Sequence, residues 1–236
     1  MRIALIGYGK MGKAIEKIAV QQGHDIAIVI NDSSELEQLV ASNTDIAIEF
    51  TQPESAYNNL SFCIGKGIPV ISGTTGWLDK LPTIEEQCDQ YNGTFLYASN
   101  FSIGVNLFFE LNKWLANKMS SLDFQPSMKE IHHTEKKDSP SGTAITLAEG
   151  IMASHPAISE WINDESADHK KLGIVSERTP NVPGTHTVSY SSPLESIEIT
   201  HTAHDRSVFA EGVVKVADWI HKKKGVYTMS DFINDN

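Results

Sequence analysis

The strongest constraint on the fold is a glycine pattern that directly follows the first apolar segment. RIALIG reads as a strand from the second residue, and Gly7, Gly9 and Gly12 lead into a helical pattern that ends at Gly23. Strand, G-x-G-x-x-G and helix together form the dinucleotide-binding fingerprint, with glycines for a tight turn, close approach to a pyrophosphate and helix–strand packing. The helix N-terminus would offer free N–H groups to the phosphates. The alternative is a purely structural glycine turn.

The second apolar segment, DIAIVIND, ends about 20 residues past the glycine pattern, where an acid binds the adenosine ribose in dinucleotide-binding folds. Asp32 is the candidate for this role, with Asn31 beside it. No lysine or arginine lies within several residues to receive a 2′-phosphate, which favours NADH over NADPH. The alternative is that Asn-Asp-Ser only forms a turn here.

Strands and helices continue to alternate up to about residue 100. DIAIEFT, IPVISGTTGW and GTFLYASN read as further strands, and PESAYNNLSFCIGKG as a helix that begins at a proline and ends at a glycine. The alternation predicts a parallel sheet with helices on both faces, whose ligands lie at the carboxyl ends of the strands. The residues expected to meet at these ends are Phe50, Thr51, Gly73, Thr74, Thr75, Asn100 and Phe101.

The pattern changes in the second half of the chain. A long helix, SIGVNLFFELNKWLANKM, precedes segments with β-branched residues and period-two alternation, namely SMKEIHH, LGIVSE, THTVSYSS and ESIEITHTA. SVFAEGVVKVADWIHKKKG reads as a final amphipathic helix that returns to the first domain. We therefore predict an α/β chain with a Rossmann-like parallel sheet and a second α+β domain built on a mixed sheet. The predicted dinucleotide-binding domain comprises residues 1–102 and 206–236, and the substrate-binding and oligomerisation domain comprises residues 103–205.

Composition excludes several classes of function. The 19 basic and 30 acidic residues give a net charge of −11, which argues against a nucleic-acid partner. Cys63 and Cys88 have no paired spacing, so neither a disulfide framework nor a zinc knuckle is indicated. The N-terminus lacks the apolar core and cleavage site of a signal peptide, and no apolar run is long enough to cross a bilayer. We expect a cytoplasmic protein without a membrane partner.

The segment EIHHTEKKDSPSGTA concentrates ionisable side chains beside a turn that opens a helix. Adjacent strand residues point to opposite faces, so His132 and His133 are predicted to serve different surfaces unless the strand has already ended. A neutral imidazole can exchange a proton near pH 7, Lys136 can present an ammonium, and the helix start can bind an anion. This set suits hydride addition to a carboxylate-bearing substrate. The alternative is that Ser139 or Ser141 only caps a helix, with the histidines and lysines on a solvated surface.

This segment resembles the signature of the dihydrodipicolinate reductase family, E-x-H-H-x-x-K-x-D-x-P-S-G-T-A. It matches at Glu130, His132, His133, Lys136, Asp138 and Pro140 through Ala144. The similarity runs nearly end to end. Further segments that resemble the family are GYGKMG, EFTQPESA, SGTTGW, ASNFSIGVN and EITHTAHDRSVFAEG.

The resemblance implies a role for each matching residue. His132 would donate a proton as hydride arrives from a nicotinamide, and Lys136 would bind and polarise the substrate. Gly142 and Thr143 would hold a carboxylate through helix-start amides, with His133 assisting. The residues implied to line the cofactor are Gly7, Gly9, Lys10, Met11, Gly12, Asp32, Phe50, Thr51, Gly73, Thr74, Thr75, Ser99, Asn100 and Phe101.

The resemblance also implies a reaction and an assembly. The cofactor would be NADH or NADPH, and the substrate a small dicarboxylate heterocycle, 4-hydroxy-tetrahydrodipicolinate, reduced to tetrahydrodipicolinate in lysine and diaminopimelate biosynthesis. The chain would form a homotetramer through the strand-rich domain, which would close onto the cofactor domain when both ligands bind.

The chain departs from the family pattern at three points. Its glycine loop is one residue shorter than the commonest version, and the acid-then-arginine pair that some members carry after the second strand is absent. The segment between the second and third strands is compressed to SSELEQLVASNT. The family's G-E-H reads Gly184-Thr185-His186, so the acid of that motif is missing.

Other classes of protein fit the sequence less well. A zinc hydrolase could use His132, His133, His201 and His204, but no acidic residue sits at an established ligand spacing, and we expect no metal. A Schiff-base aldolase would need a desolvated lysine, whereas Lys136 lies in a polar loop. A non-catalytic redox sensor would share the cofactor crevice without needing His132 and Lys136.

Overall fold

The computed structural model describes residues 1–235, with only the backbone of Ser33 described at that position. The chain divides into two compact units. Unit 1 comprises Met1–Ile103 and the C-terminal segment from Ser207 onward, and unit 2 comprises Gly104–Arg206. The division falls at 103/104 and 206/207, compared with 102/103 and 205/206 in the sequence prediction.

Helices and strands alternate regularly in the first part of the chain and give way to consecutive strands in the second. The first part contains β1 (Arg2–Ile6), α1 (Lys10–Gln21), β2 (Asp25–Ile30), a 3₁₀ helix (Ser33–Gln38), β3 (Ile46–Glu49), α2 (Pro53–Gly65), β4 (Val70–Ser72), a 3₁₀ helix (Leu78–Lys80), α3 (Leu81–Gln90) and β5 (Thr94–Tyr97). The next part contains α4 (Ile103–Met119), β6 (Gln125–His132), α5 (Gly142–Ser154), β7 (Glu160–Ile162), β8 (Lys171–Arg178), β9 (Gly184–Ser191) and β10 (Ser196–Ala203). The chain then forms α6 (Ser207–Ile220), β11 (Gly225–Tyr227) and α7 (Met229–Asn234).

Unit 1 is built on a six-stranded parallel sheet in the order β11-β5-β4-β3-β1-β2. The two faces of each central strand feed two separate cores, because side chains alternate along a strand. In β1, Ile3 and Leu5 pack into the core that contains α1 and α6, whereas Ala4 and Ile6 pack into the core that contains α2. Each fully buried isoleucine stabilises the fold by about 2 kcal/mol relative to exposure. Burial on both faces confirms the predicted Rossmann-like sheet.

Unit 2 is built on a five-stranded mixed sheet in the order β10-β9-β6-β8-β7, as predicted. The central strand β6 pairs antiparallel with β9 and parallel with β8. Helices α4 and α5 contribute Phe108 and Leu147 to a core that covers the inward face of this sheet. Along β6 the inward face changes from Met128, which is part of this core, to the buried polar residues Glu130 and His132. The buried ionisable side chains of β6 therefore lie at its carboxyl end.

Among the described residues, no helix is both long enough and apolar enough to span a membrane.

Candidate functional site

Unit 1 contains a cavity of about 760 Å³ at the carboxyl ends of its strands. It is lined by Gly7, Tyr8, Gly9, Lys10, Met11, Asn31, Phe50, Thr51, Gln52, Pro53, Gly73, Thr74 and Thr75. Nine of the residues predicted to bind the cofactor are in this lining. The predicted residues outside it are Gly12, Asp32, Ser99, Asn100 and Phe101.

The glycine turn is required by close backbone approaches. Gly7 has a φ of +94°, and a Cβ there would lie 2.0 Å from the Phe50 carbonyl oxygen. A Cβ on Gly12 would lie 2.3 Å from the Gly7 oxygen, so this glycine packs the helix on the turn. A Cβ on Gly9 would meet nothing within 4 Å, and Gly9 caps α1 without a side-chain hydrogen bond to the helix start. The turn and the uncapped helix start fit a pyrophosphate.

Asp32 lies outside the cavity and caps a helix instead. It is the N-cap of the 3₁₀ helix Ser33–Gln38, and the Ser34 N–H donates to its Oδ1 at 2.8 Å. Hydrogen bonds from Ser34 lower the pKa of the Asp32 carboxyl. The Glu35 carboxylate accepts from the N–H groups of Asn31 and Asp32 and completes a capping box. The turn-forming alternative describes this geometry, and Asn31 rather than Asp32 reaches the cavity.

A fully buried carboxylate, Glu49, lies behind the cavity wall and was not predicted from the sequence. It ends β3, and its Oε1 accepts hydrogen bonds from the Thr51 N–H, the Thr51 hydroxyl and the Thr74 hydroxyl. Its Oε2 accepts from the Ser72 hydroxyl at 2.6 Å. This one carboxylate therefore ties together the two loops that follow β3 and β4. A charged residue at the end of an apolar strand was the available sequence signal.

Phe101 supports the cavity from behind. Its ring packs against Phe50 with centroids 5.9 Å apart, and it is buried. A Cβ on Gly212 would lie 1.8 Å from the Phe101 carbonyl oxygen, so α6 approaches this backbone closely. Asn100 accepts a hydrogen bond from the Ser102 N–H at 2.8 Å, which shapes the turn after Ser99.

Unit 2 brings His132 together with two other buried residues, Glu130 and His186. His132 Nδ1 lies 3.4 Å from Glu130 Oε2, and His186 Nε2 lies 3.6 Å from the same oxygen. The two imidazoles are edge-to-face with centroids 4.9 Å apart. Glu130 and His186 are directly opposed in the β6–β9 register, so their side chains share one face of the sheet. Both residues lie within segments that resemble the family, but local sequence pattern indicates no role for either.

Glu130 also connects this cluster to the start of α5. The Ser141 N–H donates to both Glu130 oxygens at 3.1 Å, and the Ser141 hydroxyl lies 3.1 Å from His186 Nε2. Ser141 is the N-cap of α5, and its Oγ accepts from the Ala144 N–H. Arg178 Nη1 lies 3.6 Å from Glu130 Oε1. The buried carboxylate thus holds an imidazole and a helix start in one hydrogen-bonded unit.

The cluster shifts the pKa of two of its members. Burial alone would raise the pKa of Glu130, but interactions with His186 and Ser141 lower it to about 2. Burial and the neighbouring His186 lower the pKa of His132 to about 4, although the Glu130 charge acts in the opposite direction. At neutral pH the cluster in the ligand-free protein therefore holds an ionised Glu130 and a neutral His132.

The remaining predicted substrate residues lie around this cluster. His133 is half-buried, with its Nε2 2.8 Å from Arg206 Nη2, in a separate cavity of about 460 Å³. His132 and His133 therefore have different surroundings, although β6 ends at His132, as the alternative allowed. Lys136 forms an ion pair with Asp138 at 2.8 Å in an exposed loop. Gly142 and Thr143 are the first residues of α5, and a Cβ on Gly142 would meet nothing within 4 Å.

Among the described residues, one cluster has the spacing of metal ligands. The ligand atoms of Glu130, His132 and His186 all lie within 4.8 Å of one another. This set shares only His132 with the histidines considered from the sequence. The Arg178 guanidinium beside Glu130 places a positive charge next to the cluster.

A doubly covered parallel sheet with a glycine-rich turn, followed by a mixed sheet with a buried imidazole–carboxylate cluster, is the architecture of a nucleotide-binding oxidoreductase. Comparison with known families identifies which one. Residues 1–101 match the family described as "Dihydrodipicolinate reductase, N-terminus", and residues 104–233 match "Dihydrodipicolinate reductase, C-terminus". The chain belongs to the dihydrodipicolinate reductase family.

Individual relatives support the same assignment over the whole chain. The 4-hydroxy-tetrahydrodipicolinate reductase of Christiangramia forsetii is 47% identical over 236 residues, covering 100% of this chain and 98% of the relative. The enzyme of the same name from Archaeoglobus fulgidus is 34% identical, covering 99% of this chain and 100% of the relative. The structure of dipicolinate-bound dihydrodipicolinate reductase from Paenisporosarcina sp. TG-14 superposes with a TM-score of 0.79 at 19% identity, covering 97% of each chain, and shows the shared fold.

Proposed function

We propose that this protein reduces 4-hydroxy-tetrahydrodipicolinate to tetrahydrodipicolinate in lysine and diaminopimelate biosynthesis. The 4-hydroxyl group leaves as water, and a hydride from a reduced nicotinamide dinucleotide and a proton are added to the ring. The observation that carries the proposal is 47% identity over the full chain to a 4-hydroxy-tetrahydrodipicolinate reductase. Family membership in both units supports an oxidoreductase that uses NADH or NADPH. The roles proposed for individual residues are those that the family resemblance implies, and the geometry of the two units supports them.

Unit 1 has the features that a dinucleotide requires. Gly7, Gly9 and the uncapped start of α1 would hold the pyrophosphate, and Phe50, Thr51 and Thr74 would line the nicotinamide end. When bound, the reduced nicotinamide supplies the hydride. Gly12 contributes through helix packing rather than contact, and Phe101 through its support of Phe50.

Unit 2 would supply the substrate site and the proton. Lys136 and the N–H groups of Gly142 and Thr143 would bind substrate carboxylates, with His133 assisting. His132 would donate the proton from Nε2, the ring nitrogen beside Gly184, where an added Cβ would lie only 3.1 Å away. Its Nδ1 faces Glu130, so the imidazolium form would keep one N–H on the carboxylate and present the other to the substrate.

The low pKa of His132 fits a donor that becomes charged only with substrate. In the ligand-free protein the pKa is about 4, so the imidazolium is scarce at neutral pH. A bound dicarboxylate would bring negative charge close to His132 and raise this pKa, because opposite charges favour the protonated imidazole. His132 would then be protonated in the substrate complex, where it donates the proton.

The variant His132→Ala tests the proton-donor role. We expect kcat for NADH oxidation with the heterocyclic substrate to fall at least tenfold while the Kd for NADH barely changes, since a proton donor is lost and unit 1 is untouched. His169→Ala, which changes an exposed histidine of unit 2, is the matched control and should keep full activity. Activity should also survive a chelator, since no metal is proposed. Unchanged turnover in His132→Ala would reject the assignment.

The cofactor preference is proposed to be NADH, with at most equal use of NADPH. The Asp32 carboxylate accepts a hydrogen bond from a helix start, and the sequence between β2 and β3 contains no lysine or arginine. The ratio of kcat/KM values for the two cofactors tests this, and a strong NADPH preference would overturn it.

We also propose a homotetramer assembled through unit 2, which light scattering on the purified protein would test.

A further inference from the structure

We propose that Glu49 is a positioning residue whose buried negative charge favours the oxidised, cationic form of the nicotinamide over the reduced form. The inference rests on the proposed dinucleotide binding by unit 1. It assigns a function to a charged group that lies outside the cavity lining.

The charge of Glu49 is enclosed by donors. The side chain is fully buried, and three hydroxyls and one backbone N–H donate to its two oxygens. The N–H of Thr51 can only donate, and hydrogen bonds that point at a carboxylate favour its ionised form. A neutral acid would need one of these hydroxyls to turn round and accept.

The charge of Glu49 also has no ion-pair partner among the described residues. Among the ion pairs between described residues, those of buried carboxylates involve Glu130, and none involves Glu49. Hydroxyl and amide dipoles stabilise a buried charge without cancelling it. Because a buried charge is screened less than an exposed one, its field reaches the adjacent cavity.

The adjacent part of the cavity is the nicotinamide end. The sheet order β2-β1-β3-β4 places Asn31 after β2 at one end, the glycine turn after β1 in the middle, and Thr51 and Thr74 after β3 and β4 at the other end. In this fold the adenosine lies near the end of the second strand and the pyrophosphate at the glycine turn. The nicotinamide half therefore falls beside Thr51 and Thr74, whose hydroxyls bind Glu49.

A fixed anion beside the nicotinamide end of the cavity changes the relative stability of the two oxidation states of the ring. Hydride donation leaves a positive charge on the nicotinamide ring, so a nearby anion stabilises the oxidised form and the charge that develops during transfer. Through its hydrogen bonds to both loops, Glu49 holds the cavity wall in place at the same time. A purely structural Glu49 would affect the two oxidation states equally.

The experiment compares dissociation constants of NAD⁺ and NADH by isothermal titration calorimetry, without substrate and without turnover. In Glu49→Gln, which keeps the size of the side chain and removes the charge, we expect the ratio Kd(NAD⁺)/Kd(NADH) to rise about three- to tenfold over wild type. Ser72→Ala is the matched control, since it removes one hydrogen bond and keeps the charge. Its ratio should equal that of wild type even where both constants change. An unchanged ratio in Glu49→Gln would overturn the inference.

Wild-type protein provides a second measurement in case Glu49→Gln does not fold. The buried anion should let NAD⁺ bind with an affinity within tenfold of that of NADH. A Kd for NAD⁺ more than tenfold weaker than that for NADH would contradict the inference. Failure of wild type to bind either dinucleotide would instead reject the proposed function of unit 1, so the two failures are distinguishable.

Discussion

Glu49 in unit 1 and Glu130 in unit 2 are both fully buried and both lie at or near the carboxyl end of a strand. Their surroundings differ in one respect. Glu49 is bound by hydroxyls and an N–H, whereas Glu130 lies within 3.6 Å of the Arg178 guanidinium and near two imidazoles. The field of the Glu49 charge therefore reaches the adjacent cavity, whereas the Glu130 charge is offset by the Arg178 guanidinium.

The difference matters because a buried charge without a partner is costly. Glu130 is ionised beside the Arg178 guanidinium and accepts hydrogen bonds from the Ser141 N–H. Removing Glu130 would leave these groups without their partner. The hydroxyls around Glu49 can rotate toward other acceptors after its removal, since a hydroxyl both donates and accepts. The two sites should respond differently to the same substitution.

The largest expected effect is on stability. Glu130→Ala should lower the free energy of unfolding by about 4 kcal/mol, because it leaves the Arg178 guanidinium without its carboxylate partner and the Ser141 N–H without an acceptor. Glu49→Ala should cost about 2 kcal/mol, mainly for lost hydrogen bonds and an unfilled space. Urea unfolding at neutral pH measures both losses, and hydrogen exchange assigns each to its unit. A larger loss in Glu49→Ala would contradict the comparison.

The next effect is a loss of stability in acid. The pKa of Glu130 falls from 4.5 to about 2 on folding, so its contribution is complete above pH 4.5 and is lost as the pH falls toward 2. That contribution is about 3 kcal/mol. Burial lowers the pKa of His132 from 6.5 to about 4, which removes stability between those values in the same direction.

Unfolding of wild type and Glu130→Gln between pH 7 and pH 2 checks this prediction. Glu130→Gln should show a flatter profile below pH 4.5. Equal slopes in wild type and Glu130→Gln would show that Glu130 is not held ionised in the folded protein.

Sequence predicted the parts of the fold that local pattern determines. The glycine turn, the alternation of helices and strands in unit 1 and the change of period in unit 2 all appear in the structure. The strands β7 and β11 were not predicted, because each has three residues and exists through pairing with β8 or β5. Short segments of this kind carry too little periodicity to be recognised.

Several contacts within the two sites could not be predicted from local sequence pattern, because they join residues that are distant in sequence. Ser72 and Thr74 are 23 and 25 residues from Glu49, and only parallel pairing of β3 and β4 brings them to it. His186 reaches Glu130 through the β6–β9 register. At Asp32 the structure shows the capped turn formed by Ser34 and Glu35, and ribose binding by Asp32 stays a prediction.

The smallest expected effect, and the one that joins stability to chemistry, is in the pH dependence of turnover. The profile of kcat/KM reports the free protein, in which His132 has a pKa of about 4, and that of kcat reports the substrate complex. If a bound dicarboxylate raises this pKa, kcat should begin to fall with rising pH at least one unit above the pH at which kcat/KM begins to fall.

Glu130→Gln should move both profiles to lower pH, because the Glu130 charge raises the pKa of His132. Glu49→Gln should leave both midpoints in place, because its charge acts on the cofactor affinities and on the rate of hydride transfer and not on the titration of His132. Coincident midpoints for kcat and kcat/KM in wild type would mean that substrate does not load the proton donor. A shift of those midpoints in Glu49→Gln would mean that the two buried carboxylates act on one titrating group.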